Sequence, residues 1–131
     1  MNKNLTIKLA IVMASLLLVF SGGVFGKSLG TFEGTIQGAN CVVHETTCPI
    51  NNQDPHVALE NDFVLLTPDG EYYFLPNINR SLKIKYVNKD IRIKGEAKGH
   101  SIVVNDLSIK SGSDFQSVWN WSEITKKMNR N

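Results

Sequence analysis

Leu59-Glu-Asn-Asp-Phe-Val-Leu-Leu66, Thr67-Pro-Asp-Gly70 and Glu71-Tyr-Tyr-Phe-Leu75 are consecutive pieces of chain that read as strand, turn and strand. Val, Leu, Phe and Tyr favour a pleated backbone, while Pro68 presets φ and Gly70 supplies the positive φ that closes a tight turn. A hairpin follows. On its second arm Tyr72 and Phe74 point one way and Tyr73 and Leu75 the other, so at least half of this aromatic cluster belongs to a core.

The flanking chain carries the same signals. Upstream, Gly30-Thr-Phe-Glu-Gly-Thr-Ile-Gln-Gly38 alternates around Phe32 and Ile36, and Gly34 and Gly38 suit a strand that bends. No period is sustained from Ala39 to Val57, a connection rich in Asn, Thr, Pro and Asp that carries both cysteines. Downstream, Pro76 to Tyr86 supports two readings: Leu82, Ile84 and Tyr86 alternate as in a strand, and a short helix over Asn79 to Lys85 fits as well. Lys89-Asp-Ile-Arg-Ile-Lys-Gly95 and Ser101-Ile-Val-Val-Asn-Asp-Leu-Ser-Ile109 flank the turn Ala97-Lys-Gly-His100 and make a second hairpin, with Ile91 and Ile93 inward. Ser111-Gly-Ser113 is a hinge. Ser113 and Gln116 resemble a capping box, so a helix is expected over Asp114 to Lys127 with Val118, Trp121, Ile124 and Met128 on one stripe. Phe115 and Trp119 fall off that stripe.

Five short strands with glycine-bearing members and an irregular or helical insert before the fourth predict an all-β fold. The expected form is a small five-stranded OB-type Greek-key barrel with a C-terminal helix. The expected divisions are a signal peptide over 1–26, the barrel over 27–110 with its Cys-bearing loop at 40–57, and the helix and tail over 111–131. The sequence also resembles the secreted bacterial OB-fold proteins and the tRNA-anticodon-like OB domains. The resemblance spans Gly30 to Lys110 and rests on Gly34-Thr-Ile-Gln-Gly38, Asp62-Phe-Val-Leu-Leu, Gly70-Glu-Tyr-Tyr-Phe, Asp90-Ile-Arg-Ile-Lys-Gly95 and the strand from Ser101. It implies a periplasmic binding or stress-related module without catalytic residues. The Cys-bearing loop and the Trp-containing C-terminal segment depart from it.

Residues 1–26 explain part of the composition. Lys3 and Lys8 precede Leu9-Ala-Ile-Val-Met-Ala-Ser-Leu-Leu-Leu-Val-Phe20, a 12-residue stretch free of charge, and Ser21-Gly-Gly-Val-Phe-Gly26 supplies small residues for cleavage after Gly26 or Gly23. The apolar run is shorter than the ~20 residues of a membrane span, so the mature chain is expected in the periplasm or secreted, with no stable span after cleavage. An uncleaved N-terminal anchor is the alternative. Removing 26 of 131 residues takes two lysines away, and the precursor's 14 basic against 12 acidic residues become 12 against 12. Residues 27–79 hold one lysine against seven acids, or −6, and residues 80–131 hold 11 basic against five acidic residues, or +6. Pairing between neighbouring strands is the plain expectation for such a split. The neutral total argues against nucleic acid as a partner, because phosphate attraction needs excess cation.

Cys41 and Cys48 are the only cysteines, and in an exported chain a disulfide between them is expected. Cys41-x2-His44-x3-Cys48-x7-His56 also offers two thiolates and two imidazoles on one loop, which defines the alternative, a metal- or haem-handling protein using zinc, copper or haem. A cysteine nucleophile with a histidine base is a third reading, without an orienting partner in the sequence. No catalytic constellation stands out, and a non-enzymatic binding module is expected. Its ligand site is expected at Tyr72, Phe74 and Arg80, with Asn61 or His56 from the loop side, and with an oligosaccharide, peptide or protein as partner. Arg80, Lys83, Lys85, Arg92 and Lys94 are the cations that an oligonucleotide face would need. Trp119 and Trp121 are expected to pack against the barrel, the alternative being a stacking surface for a sugar ring or a protein.

Overall fold

A computed structural model describes residues 28–46 and 48–130; the expected signal segment lies outside the described residues. Six strands form one sheet: β1 (Ser28–Gly38), β2 (Phe63–Leu66), β3 (Tyr72–Phe74), β4 (Asp90–Lys98), β5 (Ser101–Ser111) and β6 (Asp114–Asn120). Their order is β3-β2-β1-β4-β5-β6, antiparallel throughout, and a parallel pairing of Phe74 with Ser101 joins β3 to β5. The first five strands therefore close into a ring, and β6 lies outside it on β5. Helix α1 (Ala39–His44) and a 3-10 turn (Pro55–Leu59) occupy the β1–β2 connection, α2 (Arg80–Lys85) links β3 to β4, and α3 (Trp121–Met128) ends the chain.

Both expected hairpins form, Leu66 opposite Tyr72 in one and Ile91 opposite Ile109 in the other. The first turns as its residues demand. Gly70 has φ 87° and its N–H donates to the Thr67 carbonyl at 3.0 Å, while the Thr67 hydroxyl donates to the Glu71 carbonyl at 2.8 Å. β1 serves two partners, with Ser28 to Thr35 against β4 and Thr35 to Gly38 against β2. Gly34 sits where it changes partner, and a Cβ there would stand 2.1 Å from the Leu66 carbonyl oxygen. The bend expected of this strand needs that close approach.

Inside the ring, Ile36, Phe63, Leu65, Leu75, Ile91, Ile93, Ile102 and Val104 are fully buried. Each such side chain stabilises the fold by roughly 1.5–3 kcal/mol. The closure between β3 and β5 is short, and a side chain extends it. The Asn77 amide donates to the Val104 carbonyl at 2.8 Å and its oxygen accepts the Val104 N–H at 2.9 Å, so one side chain stands in for a stretch of strand. The Phe74 N–H donates to the His100 carbonyl at 2.8 Å beside it.

Two expectations are corrected. The described residues form six strands, not five, because Asp114–Asn120 is a strand and not the first half of a helix. Gly112, at φ 64°, turns the chain back, and β5 offers an edge whose hydrogen bonds outweigh the expected capping box. Phe115 and Trp119, which fall off the helical stripe, sit on this strand on either side of a bulge beside Leu107/Ser108. Between Asn79 and Lys85 the helix is the form adopted, with the Asn79 side chain accepting the Leu82 N–H at 2.8 Å. Asn120 caps α3 in the same manner, accepting from Ser122 N–H at 3.0 Å. The acidic and basic halves do pair: Glu33 bonds Arg92 across β1 and β4, and Asp62, just before β2, bonds Lys83 on α2, each at 2.7 Å.

Candidate binding face

β1, β2 and β3 present a row on the outside of the ring, Tyr72 opposite Leu66, Leu66 opposite Thr35, and Thr35 opposite Asp90 on β4. Because side chains alternate along a strand, Tyr72 and Phe74 share this face while Tyr73 turns inward against Phe32, at 5.5 Å between ring centroids. Tyr72 meets Phe74 edge-on at 6.1 Å and stacks on His100 at 5.0 Å with 19° between planes. His100 belongs to the β4–β5 turn, brought here by the parallel closure. The result is a ladder of three rings, with Tyr72 and Phe74 half-buried and His100 exposed.

Leu66 joins this ladder to a groove of about 540 Å³ that Thr35, Thr67, Asp90, Lys110 and Phe115 also line. Along its rim the Arg92 guanidinium bonds Glu33 and lies 3.9 Å from the Phe115 ring centroid. The groove carries both signs of charge. It is suited to an uncharged or zwitterionic chain lying across the strands, with flat rings for apolar faces and Thr35 and Thr67 for polar ones.

Of the five residues expected at the ligand site, Tyr72 and Phe74 come together here. Arg80 and Asn61 also meet, but as structure: the guanidinium donates to the carbonyls of Val57 (2.8 Å) and Asn61 (3.2 Å) and lies over the Phe63 ring at 5.1 Å. It fastens α2 to the loop. His56 is exposed on the 3-10 turn with its ring nitrogen 2.8 Å from Asp54. Asp54 caps that turn, and donation by the His56 and Ile50 backbone N–H groups and the His56 ring holds its carboxyl down at about 2. Three of the other four cations are engaged too, and Lys94 is exposed. Lys83 is buried on Asp62, Lys85 lies over Tyr86, and Arg92 is paired as described. His100 was missed because only the long-range closure of β3 on β5 brings it to Tyr72; its place just after a turn glycine was the one local signal.

The Cys-bearing loop differs from its expectation. Cys41 and Cys48 lie 3.2 Å apart as thiols that are not bonded to one another, without the expected disulfide. Cys41 is buried on α1, and its S–H donates to Glu60 Oε1 at 3.0 Å, a carboxylate that also accepts the Asn40 N–H at 3.0 Å. The proton is part of this arrangement. Burial first, then the bond to Glu60, pushes the Cys41 thiol up to about 12, which works against the thiolate that a nucleophile or metal ligand must be. His44 is exposed at the end of α1, and among the described residues no three His, Cys, Asp or Glu side chains converge to hold a metal ion. Cys41, His44, Cys48 and His56 therefore do not form the four-ligand set that a zinc, copper or haem site would need. No described helix is long and apolar enough to cross a membrane.

No family model, curated protein or solved structure matches the chain.

Proposed function

We propose that this chain is an exported, non-enzymatic binding module of the OB type whose outer face grips an oligosaccharide. The observation that carries the reading is the ladder of Tyr72, Phe74 and His100 beside a mixed-charge groove on the outside of β1–β3. Barrels of the OB type bind through the same surface, the second and third strands between the first loop and the loop joining strands four and five. The connectivity β1-β2-β3-β5-β4-β1 with a helix between β3 and β4 supports that class. Export is supported by the charged, apolar and small-residue succession of the first 26 residues. A sugar is favoured over nucleic acid because Arg80, Lys83 and Arg92 spend their charge inside the protein.

The test is titration of isotope-labelled protein with linear oligosaccharides while amide shifts are followed. Tyr72, Phe74 and His100 are expected to move, and Tyr72→Ala and Phe74→Ala each to weaken binding by at least about tenfold with an unchanged circular dichroism spectrum. If both variants bind as the parent does, the face is not the site. A peptide that moves these amides where no sugar does would replace the sugar in the reading.

A further inference from the structure

A second concavity lies on the outside of β1, β4, β5 and β6, beyond the Glu33–Arg92 pair that rims the first. Thr31 stands opposite Lys94, Lys94 opposite Asp106, and Asp106 opposite Asn120. The groove measures about 620 Å³ and is lined by Leu29, Lys94, Asn105, Asp106, Asn120 and Trp121. Ligand sites commonly span roughly 300–1,000 Å³.

Its apolar part is open. Trp121 is 43% exposed and Leu29 74% exposed. Trp119 sits 6.0 Å from Trp121 and packs against the core, so the exposed indole has a fixed backing. Its polar part is built. Asp106 accepts from Ser108 Oγ at 2.7 Å, Ser117 Oγ at 2.6 Å and Asn120 Nδ2 at 3.2 Å. A carboxylate offers about four lone-pair directions, so three donors fix its orientation and leave one for a ligand. Partial burial would raise the Asp106 carboxyl, but the three donors and the nearby Lys94 charge outweigh it and keep the group below the ordinary carboxylate range. Asp106 is thus an ionised acceptor held in place before any ligand arrives, beside the exposed ammonium of Lys94.

We propose that this groove binds an N-acetylated amino sugar. Each part of the site has a counterpart in that chemistry. The apolar face of the sugar ring stacks on Trp121, the acetamido N–H donates to Asp106, the acetamido carbonyl accepts from Lys94, and the methyl group covers apolar surface. An unacetylated amino sugar would leave Lys94 without the carbonyl acceptor, and an anionic sugar without the acetamido group would leave Asp106 without the amide donor. A plain hexose would lack both the amide donor and the methyl group. The site shares no residue with the Tyr72 face.

The chain has two tryptophans, and both belong to this groove or its backing, so tryptophan emission reports on it alone. Adding the β-1,4-linked trimer of N-acetylglucosamine should give a saturable emission change, with a dissociation constant between roughly 10 μM and 1 mM. Maltotriose should bind at least about tenfold more weakly. Amide shifts should move at Lys94, Asn105 and Asn120. Lys94→Ala, at an exposed position, should weaken the trimer by about fivefold or more, and Trp121→Ala should abolish binding by calorimetry while Trp119 emission reports an intact fold. A silent emission signal at about 10 mM trimer overturns the proposal, as does an equal response to maltotriose or a folded Trp121→Ala that still binds. Shifts confined to Tyr72 and His100 overturn this groove and leave the other face standing; emission changes without shifts there do the reverse.

Discussion

Asp62 and Lys83 bond at 2.7 Å, but the two ends of the pair are unequally buried, with 4% of the lysine side chain and 38% of the aspartate exposed. The cost of breaking the pair should therefore depend on which end is removed. Lys83→Met deletes the buried ammonium, keeps an apolar stem of similar length, and leaves a carboxylate that water already reaches; the expected cost is about 0–1 kcal/mol. Asp62→Ala leaves the ammonium buried without its partner and also removes the acceptor of the Phe63 N–H, bonded at 2.8 Å. Breaking a buried pair from this side costs about 3–5 kcal/mol. For a domain of this size that is a fall in melting temperature of more than about 12 °C. Urea denaturation followed by circular dichroism measures both variants, with the slope m checked for constancy. The double variant completes a cycle and should recover most of the loss, since methionine needs no partner. If Lys83→Met is as damaging as Asp62→Ala, or the double variant is no better than Asp62→Ala, the burial argument is refuted.

Three further outcomes are expected. Asn77→Ala strips partners from both the N–H and the carbonyl of Val104 and should cost roughly 2–4 kcal/mol, with faster hydrogen exchange at Val104 as the local readout. Iodoacetamide at pH 8 should alkylate Cys48 at least about tenfold faster than Cys41, whose thiol is buried and pushed up to about 12; equal rates by peptide mapping would contradict the bond to Glu60. Asp54, depressed from 3.8 to about 2 in the fold, contributes stability that is complete at higher pH and disappears as the pH falls through that window, so Asp54→Asn should flatten this part of an acid titration.

What could be read along the chain was local. The two hairpins, the inward Ile91 and Ile93, and the opposite facing of Tyr72 and Tyr73 all follow from period-two alternation and turn residues, and the structure has them. The features that escaped depend on distant partners. Asp114–Asn120 carries a capping-box pattern that means helix in isolation, and it becomes a strand because β5 needs a neighbour. Arg80 looked like a ligand-facing cation, but the carbonyls of Val57 and Asn61 reach it only after the loop folds. The same holds for Cys41: compartment and count point to a disulfide, and nothing local shows that Glu60, 19 residues on, accepts a hydrogen bond from its S–H. Tyr72 and Phe74 were legible as a face, and His100 was not, because the parallel closure of β3 on β5 has no signature in sequence.

β1's division between two partners has a consequence for the order of assembly. Its C-terminal half meets β2 through Gly38 and Phe63, a separation of 25 residues, whereas its N-terminal half meets β4 through Ser28 and Ala97, a separation of 69. Contacts between such distant residues bear a loop-closure entropy that local hairpins do not, and they slow folding. While the chain is being made, the β1–β2–β3 meander can form early, but its first strand keeps an open, unpaired flank until the β4–β5 hairpin arrives. The ring then closes last, on the short β3–β5 contact, and β6 and α3 can settle only after β5 has docked. During that interval the exposed flank of β1 is the part of the molecule most open to a wrong strand.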